Sequence, residues 1–416
     1  MTINVSTHLN GTLSKPMTSP QPGSLVSGKV IKWLGGQIAT VNIGGQIQTA
    51  KIEGNLKAGD RYVFQVVTGD DTSALNLKLV EGQNAAPLSN TLFKQLGIAL
   101  TPGNRELITY MMQRGVPLTP STVKEWLSLT AAVPQMKDAI TILDEMFARE
   151  FPLHPEIFQA IAAVKRGPGA SVLLDRFSER LETLPTDSNS DQLDTLKQLL
   201  SDLQLGKTFT SNSSLPLLFE KMGVFHEAML AQFFLRSKGP DTLPPQTLKG
   251  ELVSLLSRSE NVPNDVTQAA THLLHHLTGE QLLSLTHDPN WFSLNVQIPI
   301  LLQDETRTDA KVKWEIKKAP DGGFDPTFCR LVFHVHLTNL KETILQMVVQ
   351  DRQVSCTLYT EGSALIDPGT SSLYDEMKQR LHSLSFNLIG FYHREESLQA
   401  VKKQLFYQAS QMDVSI

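Results

Sequence analysis

The feature that most restricts how this chain can fold is a hydrophobic period that changes twice. From Gly28 to Leu79 apolar and polar residues alternate, from Ala85 to Leu285 apolar residues recur at i, i+3, i+4 and i+7, and after Pro289 alternation returns. A period of two sends side chains to opposite faces of a strand, whereas a period near 3.6 lines them along one helix stripe. The order predicts an α+β multidomain protein: a small N-terminal β-barrel, a central irregular helical bundle and a C-terminal α+β sheet-and-helix domain. The length of 416 residues agrees, at roughly 100 to 200 residues per domain.

Residues 1–22 are rich in Ser, Thr, Asn and Pro with no sustained period, and read as a disordered tail. Residues 23–84 hold five alternating segments separated by Gly35-Gly36, Gly44-Gly45, Lys57-Ala58-Gly59-Asp60 and Gly69-Asp70-Asp71, where Gly supplies a positive φ and Asp tolerates it. So many short strands hide their edges best by closing into an OB-like or SH3-like barrel. Residues 85–290 carry the helical pattern, with a break expected near residues 206–216. Thr101-Pro102 and Thr119-Pro120 each place a hydroxyl at an N-cap and Pro at the first helical position. Leu217 to Lys238 reads as one helix, and Asn264 to His276 and Gly279 to Leu285 as two. Residues 291–416 form the last domain, in which Leu373, Met377, Leu381 and Leu384 make one apolar helix stripe against the sheet.

Charge and composition narrow the function. The net charge is −5, from 37 basic and 42 acidic side chains, with no basic stripe to follow a phosphate backbone, so nucleic acid is not an expected partner. The barrel segment has only Trp33, Tyr62 and Phe64 as aromatics. No apolar run approaches the ~20 residues of a bilayer span, so no membrane insertion is expected. Cys329 and Cys356 are too sparse for a disulfide framework and read as unbridged core residues of a reducing, cytoplasmic compartment.

Chemistry-bearing motifs are weak. Ser201 to Thr208 (SDLQLGKT) ends like a phosphate-binding loop but lacks its first glycine and follows a helix. His272, His275 and His276 share a helix face without a carboxylate to complete a metal site, and His334 and His336 share a strand face as two ligands alone. The acidic pair Asp304-Glu305 falls in a hairpin loop. No GxSxG, HExxH or GxGxxG pattern occurs, and the expectation is a non-enzymatic protein with no cofactor and no metal.

The stretch LTNLKETILQMVVQDRQVSCTLYTEGSALIDPGTSSLYDEMKQRLHSLSFNLIGFYHRE resembles the C-terminal domain of flagellar hook-length control (FliK-like) proteins: two alternating strands, a polar helix with spaced leucines, and a last strand entered through a Gly-apolar pair. The upstream segments HHLTGEQLLSLTHDPNWFSLNVQIPI, LTPGNRELITYMMQRGVPLT and GKVIKWLGGQIATVNIGGQIQTAKI are similar to the Gram-positive variant of that family. Lys341 and Ser385 depart from the family, which carries Gly at both places, and helices replace its long Pro/Gln/Ser-rich segment. The resemblance implies a factor that binds the cytoplasmic domain of an export-gate switch protein, changes substrate class from rod and hook to filament subunits, and stays cytoplasmic or is itself exported through a type III apparatus. Leu340, Leu345 and Leu381 match family apolar positions and are candidate partner contacts or simply core, while Lys378 and Arg380 are exposed candidates beside them. The alternatives are a general cytoplasmic adaptor without a flagellar role, or an enzyme with an unrecognised pocket.

Overall fold

In the computed structural model the described residues are 20–53, 56–68, 75–81, 90–184, 191–204, 214–236, 246–257, 262–285, 288, 290–301, 307–319, 324–338, 340–361 and 372–407. The chain divides into two compact units between Ala162 and Ala163. Residues 1–19 of the expected tail, Asp304-Glu305 and Leu205 to Thr208 lie outside the described residues.

The first unit opens with β1 (Leu25–Gly35), β2 (Ile38–Ile43), β3 (Gln46–Glu53), β4 (Arg61–Val67) and β5 (Leu75–Glu81), closed into a barrel in the order β1-β2-β3-β5-β4. β3 and β5 run parallel and the other pairs antiparallel, the OB-type arrangement rather than an SH3-like one. Inward residues Val30, Ala39, Val41, Ala50, Ile52, Phe64 and Leu77 fill the interior. The alternation thus has its expected cause, most plainly in β2 and β3, where one face fills the barrel and the other is more exposed.

Among the described residues five helices complete this unit: α1 (Asn90–Leu96), α2 (Pro102–Gln113), α3 (Pro120–Thr130), α4 (Met136–Ala148) and the start of α5 (Pro155–Arg166). Thr101 Oγ1 accepts from Asn104 N at 3.1 Å, and Thr119 Oγ1 accepts from Thr122 N at 3.1 Å, so both expected caps form. Leu118, in the turn between α2 and α3, exchanges two backbone hydrogen bonds with Leu25 on β1. A Cβ on Gly115, at φ +70°, would stand 1.9 Å from Gly44 Cα, so the helix turn sits directly on the β2–β3 turn. The barrel is therefore fastened to the first helices.

The compact units divide the chain at other places than the expected limits. A boundary at residue 84 separates barrel from helices that share its unit, and the helical stretch divides inside α5, not near 206–216. Instead α6 (Ala170–Glu182), α7 (Asp191–Gln204), α8 (Ser214–Met222), α10 (Leu248–Ser257) and α11 (Asn264–Ser284) share one core through Leu173, Phe177, Leu200, Met222, Leu252, Leu273 and Leu277. Leu217 to Lys238 is not one helix: Gly223 at φ +84° ends α8, and α9 (His226–Arg236) starts afresh. Conversely, Asn264 to Ser284 is one continuous helix, because Gly279 is buried within α11 rather than ending it.

The second unit also holds a six-stranded sheet in the order β11-β10-β9-β8-β7-β6. Its strands are β6 (Trp291–Leu301), β7 (Arg307–Lys318), β8 (Phe324–Leu337), β9 (Lys341–Gln350), β10 (Gln353–Thr360) and β11 (Asn387–Glu395), with α12 (Ser372–Ser383) crossing over between the parallel pair β10 and β11. α13 (Leu398–Lys402), continued by a π turn at Lys403–Tyr407, packs Leu398, Val401 and Leu405 on Val332, Ile344 and Tyr359.

Helix α11 covers the outer edge of β6. Ser284 Oγ accepts from Asn295 N at 2.7 Å and donates to Asn295 O at 3.1 Å, and Glu280 Oε1 accepts from Gln297 N at 2.6 Å. These side chains occupy the places a further strand would fill, which closes that edge to other chains. Asp309 on β7 accepts from Ser171 N at 2.9 Å and from Ser171 Oγ at 3.0 Å, capping α6, whose own N-cap is Gly169.

Candidate protein-docking site

The opposite edge of the sheet is open: among the described residues β11 pairs with β10 alone. A register shift opposite Val354 and Ser355 leaves Ile389 as an extra residue between Leu388 and Gly390. Such a bulge turns a side chain that alternation would assign elsewhere. Ile389 is 54% exposed and Tyr392 53%, while Leu384, just past α12, is 60% exposed. All three are thus exposed apolar side chains at or just before β11.

Helix α12 supports this edge. Tyr374, Met377 and Leu381 pack half-buried on Cys329, Val349, Val354, Cys356 and Leu388. Leu384 does not extend that stripe onto the sheet as its spacing predicts, because α12 ends at Ser383 and the chain turns. Ser385 N donates to His382 O at 3.0 Å and Phe386 N to Leu381 O at 2.9 Å, with Ser385 at φ +65°. This is a Schellman end, whose left-handed position favours glycine. Lys341, after the β8–β9 turn, has φ +56°. The two positions where glycine was expected from the resemblance are thus both left-handed.

The five candidate residues separate. Leu345 is half-buried against the α12 core, in register with Phe333 and Leu358, and Leu381 lies in the same core, so these two side chains are packing residues. Leu340 is half-buried in the turn before β9. Lys378 and Arg380 are exposed on α12, with Arg380 donating to Glu376 at 2.7 Å. Sequence reasoning missed Leu384, Ile389 and Tyr392, because the bulge and the helix end that expose them have no period to announce them.

Electrostatics on the other face of this sheet is structural. Lys313 and Glu315, both buried, pair at 3.0 Å, Arg330 Nε donates to Glu315 Oε2 at 2.5 Å, and Lys313 Nζ donates to Leu405 O at 2.9 Å. His334 Nε2 lies 2.8 Å from Glu342 Oε1, which also pairs with Lys402, and burial is the main cause that lowers the His334 pKa. The histidines of α11 diverge: His272 is exposed, while His276 is buried 3.4 Å from Glu280. Burial of the thiols raises both cysteine pKa values, Cys356 to about 11, and both thiols are free. Among the described residues no three His, Cys, Asp or Glu side chains could hold a metal, and no helix is long and apolar enough to cross a membrane.

Residues 3–76 match the family model described as TP0910 S1-like domain. A stretch of 135 residues is 33% identical to a protein of Bacillus subtilis (strain 168) named Uncharacterized protein YlqG, covering 32% of this chain and 23% of that protein. The match therefore spans less than a quarter of that relative. No solved structure matches the chain.

Proposed function

We propose that this chain is a non-enzymatic protein-binding factor whose C-terminal sheet receives an extended segment of a partner along β11. The observation that carries this reading is the open outer edge of β11 with Leu384, Ile389 and Tyr392 exposed beside it. Strand addition there gives affinity through backbone hydrogen bonds and selectivity through alternate side chains. The nine-residue strand offers an edge of roughly 30 Å.

By the resemblance to hook-length control proteins, the partner is the cytoplasmic domain of an export-gate switch protein, and the outcome is a change of export substrate class. The left-handed φ at Lys341 and Ser385 supports that resemblance, since the backbone keeps the turns that glycine serves in the family.

Calorimetric titration of the full chain against that cytoplasmic domain is the test. Binding with Kd of about 1–100 μM is expected, weakened about tenfold or more by Ile389→Lys or Tyr392→Asp. No heat at about 100 μM removes the export reading and leaves a general adaptor. Binding that ignores both substitutions removes β11 as the site.

A further inference from the structure

The barrel carries a second surface, remote in sequence from β11. Toward the start of β1 the outward residues Leu25 and Ser27 are buried, with Leu25 paired to Leu118, so helices cover that side. Further along, the outward residues of β1, β2 and β3 are exposed or partly exposed. Across it Arg61, Lys29, Asn42 and Ile47 stand in register, followed by Lys32, Thr40 and Thr49, and then by Ile38 and Lys51. Two bulges in β1 turn Ile31 and Leu34 outward beside them.

Four exposed aliphatic side chains thus sit among four exposed cations. Ile47 is 66% exposed and Leu34 56%, with Ile31 and Ile38 close behind. Among the described residues Lys29, Lys32, Lys51 and Arg61 have no carboxylate within ion-pair distance, and Glu53 is the one acidic residue on the outward side of these strands. OB-type barrels use this same side, the face of strands 2 and 3, for ligands. Oligonucleotide recognition there relies on aromatic rings that stack on bases. The three aromatic residues of this barrel are committed inward: Trp33 Nε1 donates to Leu56 O at 3.0 Å, Tyr62 Oη accepts from Lys57 N at 2.9 Å, and Phe64 is fully buried.

We infer that the outer face of β1–β2–β3 docks an acidic, aliphatic-rich segment of a protein partner, with Lys29, Lys32, Lys51 and Arg61 pairing its carboxylates and Ile31, Leu34, Ile38 and Ile47 receiving its apolar side chains. Charge complementarity selects this occupant: unpaired cations attract a polyanion, and exposed aliphatic side chains, lacking rings, suit Leu or Ile better than bases.

The test uses the full chain with isoleucine methyl groups labelled for NMR. One probe is a 12-residue peptide alternating Glu with Leu, the other a 12-nucleotide oligouridine. The peptide is expected to shift the Ile31, Ile38 and Ile47 methyls and not the Ile389 methyl, with Kd of about 10–100 μM at low salt. Raising the salt should weaken it several-fold. Lys29→Glu combined with Lys51→Glu should weaken it about tenfold or more, and Ile47→Ser, a change at an exposed position, serves if the double variant does not fold. Oligouridine binding tighter than the peptide and mapped to the same methyls would overturn the inference in favour of nucleic acid. No shift of these methyls at about 1 mM peptide, or binding unchanged in the variants, would overturn it too. Since Ile389 reports separately on β11, failure here leaves the sheet-edge reading intact.

Discussion

At the scale of single residues, several side chains sit where the backbone prefers another. Ser385 and Lys341 occupy left-handed conformations at φ +65° and +56°. The steric cost to a residue with a Cβ is about 1 kcal/mol or more, partly offset because glycine loosens the unfolded chain. Ser385→Gly and Lys341→Gly are each expected to stabilise the protein by about 0.5–1 kcal/mol, and scanning calorimetry will show a lower transition temperature if this is wrong. Gly115 is the reverse case, at φ +70° and against Gly44. Gly115→Ala should cost about 1–3 kcal/mol, read as a lowered transition in the unit that contains the barrel. Glu280 adds a pH dependence. Its burial, opposed by His276 and by Gln297 N, raises its pKa above 4.5. The folded state then keeps a proton that the unfolded chain has released, so this group lowers stability as pH rises from 4.5 through the raised value. Glu280→Gln keeps the acceptor for Gln297 N and should flatten that decline, which unfolding midpoints across acid to neutral pH will record.

At the scale of elements, the two sheet edges are treated differently. β6 is closed because Ser284 and Glu280 satisfy backbone groups of Asn295 and Gln297. Ser284→Ala leaves the Asn295 N–H without its acceptor, at an expected cost of about 1–3 kcal/mol. Faster amide hydrogen exchange at Asn295 would locate the loss, and unchanged exchange would show that another group replaces Ser284. Among the described residues β11 has no such cover, although its bulge at Ile389 breaks the flat edge that promotes unspecific pairing. Asp309 shows how one element finishes another, since α6 begins at Gly169, which has no side chain to cap it.

At the scale of the whole molecule, the division inside α5 separates a unit built on the barrel from a unit built on the sheet. A fragment of residues 20–162 is expected to fold with a cooperative transition of its own. Residues 28–79 alone lack Leu25 and its partner Leu118 and leave the outer sides of β1 and β4 uncovered. Circular dichroism melts should therefore show the shorter fragment unfolding at a lower temperature or without cooperativity, and equal melting of the two would contradict the fastening role of the helix turn. The docking surfaces proposed above lie one on each unit, which suits a factor that engages two protein segments.

The sequence by itself determined the order of elements, and with it the α+β class. Alternation in Ile38–Ile43 and Gln46–Glu53 forces two-faced strands, and Thr101 and Thr119 before proline fix where α2 and α3 begin, since a cap is chemistry between neighbours. The sequence was a weaker guide where a break depends on what packs nearby: Gly223 ends α8 while Gly279 is carried inside α11, although each interrupts a similar apolar pattern. Only the tertiary structure decided which helices join which sheet, because an apolar stripe specifies a buried face and not its partner. It also decided the candidate site. Leu345 and Leu381 carry the same apolar character as Leu384 and Ile389, yet the first pair packs between sheet and helix and the second is left exposed by a helix end and a bulge. Exposure at those positions is a consequence of where the chain runs after folding, which no local period encodes.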